Sequence, residues 1–528
     1  MKKFLCILMA LFMLMGVAAC NTEEGNGEEN NGEANGETNG ETNGETTGET
    51  IKIGLNYELS GGTATYGQSS VDGIELAVKE INEAGGVNGK QVELVKYDNK
   101  SDSSEAFTLA TKLMTSDGVV AVLGPATTGN FKAVIPVAEQ NKIPVASGSA
   151  TGDDVTVEFN EDGEVEYDEN GKPTTLKEYA FRICFNDSFQ GTAMAKFAAN
   201  NLNATKAVVI ADSSSDYGKG LAKAFVETFT EGGGTIVSEE SYVAKDTDFS
   251  ATITKLTGMD FDVIFIPGYY EEVGLIIKTA RAQGIDCPIL GADGFDSPEL
   301  INLAGADALN NIYFCNHYSS LSEDPTVTSF IEAFKAEYNA EPDAFNALGY
   351  DLAKFVCDAI GRADELTGEA VKTALENTEN FTGVTGSFTI DECHNPVKSL
   401  VVISLENGEQ ASATNVSLDQ VAFLPKSRRR CLKTVDLSGK GQPRRDAAGA
   451  APLRGTDCSL RGVGKGVREA SFAPFPISRT ENLSQTLGKG LPAPCLPVRE
   501  TRAGHIRMPL CTRMRCRRDA GDPGPVLP

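Results

Sequence analysis

The sequence predicts an α/β protein of two doubly wound, Rossmann-like lobes joined by a three-strand hinge, and two observations carry that prediction. From Ile51 onward, short β-branched runs alternate with amphipathic segments, the pattern of strand–helix units that build a parallel sheet with helices on both faces. The same alternation restarts after the run AFRICF at 180–185. Two such sheets do not share one core, so the chain is expected to cross between lobes near Cys184, near Cys315 and near Phe388.

The first lobe opens with IKIGLNY and a helix from about Gly67 to Ala84, in which Val71, Ile74, Ala77, Val78 and Ile81 share one face. QVELVKYD, a helix around Ser103 to Met114, VVAVLG, a helix from Thr128 to Gln140 and IPVAS follow. In the second lobe a helix from Gln190 to Leu202 precedes AVVIAD, and a helix from Tyr217 to Phe229 precedes TIVSEESYV. A helix near Phe249 to Leu256, DVIFIPG, a helix from Glu271 to Gln283 and PILGAD complete it. Helices at Asp324–Tyr338 and Phe345–Ile360 are expected to return to the first lobe. The lobes are thus 51–183 plus 317–388, and 184–316 plus 389–412. Residues 153–169 hold nine acidic and no basic residues, with NEDGEVEY and DENGKP as hairpin and turn signals. They read as a solvated surface hairpin; a calcium site is the lesser alternative, because the spacing does not fit an EF-hand loop.

The flanks differ from this body. Lys2 and Lys3, the apolar run from Phe4 to Gly16 and Val17-Ala18-Ala19-Cys20 form a signal peptide over 1–19. The ending resembles the lipobox, which makes Cys20 the expected lipid-attachment site on the outer face of the bacterial cell membrane. Residues 20–50, which from Asn31 repeat NGEA, NGET and TGET units, read as a disordered tether. Residues 416–528 turn basic and rich in Arg and Pro, as a shifted reading frame gives, with a disordered basic arm as the alternative.

Composition narrows the function. Residues 421–528 hold 21 Lys+Arg against 8 Asp+Glu, which leaves 26 basic and 66 acidic residues before them. So acidic a body argues against a nucleic-acid partner. Three His, no Trp and the lack of GxSxG, HExxH or Walker A patterns point away from an enzyme, a metal or a cofactor. Cys184, Cys287, Cys315, Cys357 and Cys393 show no CxxC spacing and read as buried free thiols.

A free α-amino acid needs donors for its carboxylate and acceptors for its ammonium. LGPATTGNF puts Thr127, Thr128 and Gly129 where a strand gives way to a helix, suited to an anion or simply to capping that helix. ASGSATGDD supplies Ser149 and Thr151, and LGADGFDSPEL supplies Asp293. Asp296 fits the helix cap before Pro298 and Glu299, which leaves Asp293 without a capping duty.

LSGGTATYGQSSVDGIELAVKEINEAGGVNGKQVELVKYD, SDYGKGLAKAF, DFSATITKL, PGYYEEVGLIIKTARAQG and LGADGF occur in order. From Ile51 to about Glu406 the chain resembles the leucine/isoleucine/valine-binding proteins, the amino-acid group of the type I periplasmic binding fold. The resemblance implies that Thr128 receives a ligand carboxylate with help from Thr151. The Ser149 carbonyl, the Thr151 hydroxyl and Asp293 would surround the ammonium, and Tyr66, Tyr217, Tyr269 and Phe345 would line the cleft. Phe345 reads almost as well as plain core. Asp293 stands where the best-matching members usually have Glu, so the ligand is expected to sit deeper or to bind through a water. Ser101 and Thr127 replace the cysteines of the family's short disulfide, and Thr127 is expected to add a polar contact. The implied function is a monomeric extracytoplasmic lipoprotein that passes a branched-chain or related small amino acid to the permease and ATPase subunits of an ABC importer. An amino-acid or amide sensor domain feeding a receptor is the alternative.

Overall fold

Residues 50–161 and 163–416 are described by a computed structural model; the signal peptide, Cys20, the tether and the basic tail lie outside the described residues. The chain begins with β1 (Ile51–Tyr57), α1 (Ala64–Glu83), β2 (Val92–Asp98), α2 (Ser103–Lys112), β3 (Ala121–Leu123), α3 (Thr128–Asn141), β4 (Val145–Ser147) and β5 (Ala180–Arg182). The strands form a parallel sheet in the order β2-β1-β3-β4-β5. Helices cover both faces of such a sheet, so its central strands are apolar runs rather than alternating ones. Ile53, Leu55, Val122 and Leu123 are accordingly fully buried.

The second sheet takes up α4 (Asp187–Asn201), β6 (Lys206–Asp212), α5 (Asp216–Glu231), β7 (Thr235–Tyr242), α6 (Ser250–Leu256), β8 (Val263–Phe265), α7 (Tyr270–Ala282), β9 (Ile289–Gly291), α8 (Pro298–Ala304) and β10 (Ile312–Asn316). Next come α9 (Pro325–Tyr338), α10 (Ala344–Arg362), α11 (Gly368–Glu376), the hairpin β11 (Phe381–Gly383) and β12 (Gly386–Phe388), then β13 (Leu400–Glu406) and β14 (Glu409–Val416). The second sheet runs β14-β13-β10-β9-β8-β6-β7. It is parallel except at β10/β13 and β13/β14.

Helix α10 returns to the first sheet and packs against α1, β3 and β4. The two helices meet backbone to backbone at glycines: a Cβ on Gly73 would lie 2.0 Å from the Asn346 carbonyl oxygen, and one on Gly349 2.0 Å from that of Ser70. Asn346 Nδ2 then reaches the Ser69 carbonyl at 2.7 Å.

Three expectations are adjusted. The chain joins the second sheet at Leu400 rather than near Phe388. In between, His394 bonds the Ala180 carbonyl at 3.0 Å, and Asn395 accepts from Arg182 Nε at 2.6 Å, which keeps this stretch on the first sheet. Helix α8 is capped by Ser297, not Asp296. Asp296 instead accepts from Asn316 Nδ2 at 2.7 Å and from the Ala344 N–H at 3.0 Å. The acidic segment forms turns with two isolated bridges, Val157 to Leu176 and Tyr167 to Pro173, and no strand. Among the described residues no cluster suited to a metal is found, and no helix is long and apolar enough to cross a membrane.

Candidate functional site

Crevices of open α/β sheets lie beyond the carboxyl ends of their parallel strands. Tyr66 follows β1, Thr127 and Thr128 follow β3, and Ser149 and Thr151 follow β4. From the other sheet, Tyr217 follows β6, Tyr269 follows β8 and Asp293 follows β9, while Phe345 sits in the first turn of α10. All of these but Thr151 line one narrow cavity, whose wall Ala126 and Gly294 complete.

One side of the cavity is the N-terminus of α3, where the first turn leaves backbone N–H groups without helical partners. Thr127 occupies the N-cap but makes no side-chain cap bond. Its hydroxyl donates to Glu58 Oε1 at 2.8 Å, which also accepts the Thr127 N–H at 3.2 Å and Asn130 Nδ2 at 2.8 Å. Glu58 Oε2 takes the Ala126 N–H at 3.0 Å. The polar contact expected of Thr127 is therefore made to the buried Glu58 carboxylate and not into the cavity. Thr128 Oγ1 accepts the Gly152 N–H at 3.0 Å, which leaves the Thr128 hydroxyl proton to donate. Ser149 Oγ donates to the Ala126 carbonyl at 2.9 Å and ties the two loops together.

The other side carries a carboxyl group. Asp293 Oδ1 accepts from Tyr217 OH at 2.7 Å, and Asp293 Oδ2 faces His317 Nε2 at 3.2 Å. Burial pushes the His317 pKa down to about 4, so the ring is neutral, with its proton on the nitrogen facing the carboxylate. The Asp293 N–H donates to Gln190 Oε1 at 3.1 Å. A second acid was not singled out from the sequence. Asp187 opens α4, is 1% exposed, lines a second cavity with Asp153 and Asp216 rather than this one, and donates its N–H to the Thr151 carbonyl at 2.8 Å. Its carboxylate oxygens and the Thr151 hydroxyl are buried together, and neither group has a hydrogen-bond partner other than the other. Burial, and then the charge of Asp153, hold the Asp187 carboxyl well above the usual carboxylate range. No local pattern marks Asp187, since an acid in the first turn of a helix is ordinary.

Aromatic rings close the remaining walls. Tyr66 stacks on Phe345 with centroids 4.3 Å apart, and Tyr217 stacks on Tyr269 at 5.0 Å. Tyr66 OH donates to the Gly294 carbonyl at 2.5 Å and accepts the Tyr270 N–H at 3.2 Å, bonds that run from one sheet's loops to the other's.

A helix N-terminus, a facing carboxyl group and an aromatic box thus converge at the carboxyl ends of parallel strands from the two sheets. Residues 50–410 match the family model described as periplasmic binding protein. The chain belongs to the periplasmic binding proteins. It is 30% identical over 343 residues to the Leu/Ile/Val-binding protein homolog 3 of Brucella melitensis, covering 65% of this chain and 87% of that protein. It is 29% identical to the leucine-, isoleucine-, valine-, threonine- and alanine-binding protein of Pseudomonas aeruginosa, covering 65% and 86%. Among solved structures it resembles the branched-chain amino acid transporter substrate binding protein LivJ of Streptococcus pneumoniae in complex with isoleucine. The TM-score is 0.64 at 41% identity, over 70% of this chain and 99% of that one. The leucine binding protein LivK of Thermotoga maritima gives the same TM-score of 0.64 at 34% identity, over 70% and 99%. Periplasmic binding proteins are substrate-binding proteins rather than enzymes, and these relatives carry the same α/β architecture with mainly parallel sheets.

Proposed function

We propose that this protein is the extracytoplasmic substrate-binding lipoprotein of an ABC importer for branched-chain amino acids, acting as a monomer tethered through Cys20 and residues 21–50. The observation that carries the reading is the cavity itself, with the α3 N-terminus on one side and Asp293 on the other. In this reading the ligand carboxylate meets the Thr128 hydroxyl and amide and the Thr151 amide. The ammonium lies among the Ser149 carbonyl, the Thr151 hydroxyl and the carboxylates of Asp293 and Asp187. Burial favours the neutral form of Asp187, and a ligand ammonium beside it would draw it toward the charged form, adding a countercharge to that of Asp293. Tyr66, Tyr217, Tyr269 and Phe345 cover the aliphatic side chain.

The two sheets belong to two lobes, the first including the segment around His394 and the second the strands from Leu400. A ligand held from both sides favours their closed arrangement, and closure is the state a permease reads. The test is a thermal-shift panel of the twenty amino acids, followed by calorimetry. L-leucine, L-isoleucine and L-valine are expected to raise Tm in a concentration-dependent way. A panel in which none of the three binds overturns the assignment.

A further inference from the structure

His317 is the first residue after β10, where the chain leaves the second sheet. Its side chain is fully buried, and its ring stacks on Phe185 with centroids 3.8 Å apart and planes 11° apart. Phe185 belongs to the other connection, between β5 and α4, so one ring pair joins two of the segments that link the sheets. From that position His317 Nε2 meets Asp293 Oδ2 at 3.2 Å, on the oxygen that Tyr217 does not use. His317 Nδ1 is buried without a partner. The preceding residue, Asn316, donates to Asp296 Oδ2, which also accepts the Ala344 N–H at the start of α10. Consecutive residues of one hinge segment thus hold both acids of the loop after β9.

We infer that His317 is a positioning residue for the ammonium end of the site: its N–H fixes the Asp293 carboxylate from behind and ties that carboxylate to the hinge. The inference rests on the amino-acid reading given under Proposed function. A histidine serving only to fill the core would need its shape and its stacking partner; a positioning histidine needs its N–H. Two variants separate these roles. His317→Phe keeps a flat ring against Phe185 and removes the donor, whereas His317→Gln removes the ring and keeps an N–H donor.

Each variant is titrated with L-leucine by calorimetry, and with 4-methylpentanoate, which is leucine without its amino group, by competition; thermal unfolding checks that each is folded. Loss of one hydrogen bond to a charged group predicts that His317→Phe weakens L-leucine binding by about tenfold or more. 4-Methylpentanoate binding stays within about threefold of wild type, and His317→Gln recovers most of the L-leucine affinity. The inference is overturned if His317→Phe binds L-leucine as wild type does, or if the Phe and Gln variants lose affinity for both ligands alike. Wild-type protein that binds no L-leucine overturns the amino-acid reading first, and this inference with it.

Discussion

Both donors of Thr127, its N–H and its hydroxyl, end on one oxygen of Glu58, at 3.2 and 2.8 Å. The carboxylate thereby fixes the turn that presents Thr128 and the open end of α3. Glu58→Gln places an NH₂ group among N–H and O–H donors and leaves at least one buried donor unpaired. We expect a loss of about 1–3 kcal/mol in stability by urea denaturation. Calorimetry is expected to show L-leucine binding weakened on the order of tenfold, since the anion-binding turn loses its brace. Unchanged affinity would show that the turn holds itself.

Asp187→Asn is expected to move stability and affinity in opposite directions. The folded protein pays to keep this carboxylate buried, as its raised pKa records. An amide of the same shape carries no charge, so ligand-free Tm at pH 8 is expected to rise by a few degrees. Affinity for L-leucine is expected to fall about tenfold or more, because the ammonium loses a countercharge. A variant that is more stable and binds equally well would remove Asp187 from the site.

Much of this architecture is legible in the sequence because parallel strands buried on both faces leave uninterrupted apolar runs, such as VVIA before Asp212 and VIFIP before Gly268. Thr128, Ser149 and Asp293 are legible for a related reason: they follow such runs directly. Glu58, Asp187 and His317 are not, since each is one polar residue whose role is set by a distant partner. Glu58 meets Asn130 across 72 positions. The late third crossing was hidden in the same way, because polar bonds from His394 and Asn395 have no periodicity. Asp296 and Ser297 are adjacent and equally good caps, and only Asn316 and Ala344 decide which one is released for other work.

Gly73 sets the spacing of α1 and α10. In an isolated helix Gly→Ala would stabilise by about 1 kcal/mol. Here the new Cβ would stand 2.0 Å from the Asn346 carbonyl oxygen, so the helices must part and the Asn346 to Ser69 bond must stretch. We expect Gly73→Ala to destabilise by about 1–3 kcal/mol in urea denaturation. Gly258→Ala, which meets nothing within 4 Å, serves as a control expected within about 0.5 kcal/mol of wild type.

Asp296 and Asp343 give the clearest pH dependence. Both residues are half-buried; loss of solvent around the carboxylate first, and then the charge of Asp296, push Asp343 up to about 7, and loss of solvent likewise raises Asp296. A group whose folded pKa exceeds its unfolded value of about 3.9 holds an extra proton in the folded state across that interval. Its contribution is full below about pH 4 and is lost as the pH rises through 7. His317 works in the opposite sense, because its folded pKa of about 4 lies below its unfolded value and stability is gained as the pH rises from 4. Asp343→Asn isolates the first effect. Asn also serves well as an N-cap, so the start of α10 survives, while the titrating charge is gone. The Tm of Asp343→Asn minus that of wild type is expected to be near zero or negative at pH 4 and to grow more positive up to pH 8. Some slope remains in the variant from the half-buried Asp391, whose carboxyl is also raised to about 7 by loss of solvent. A difference that stays constant from pH 4 to pH 8 would show that Asp343 does not titrate in this window.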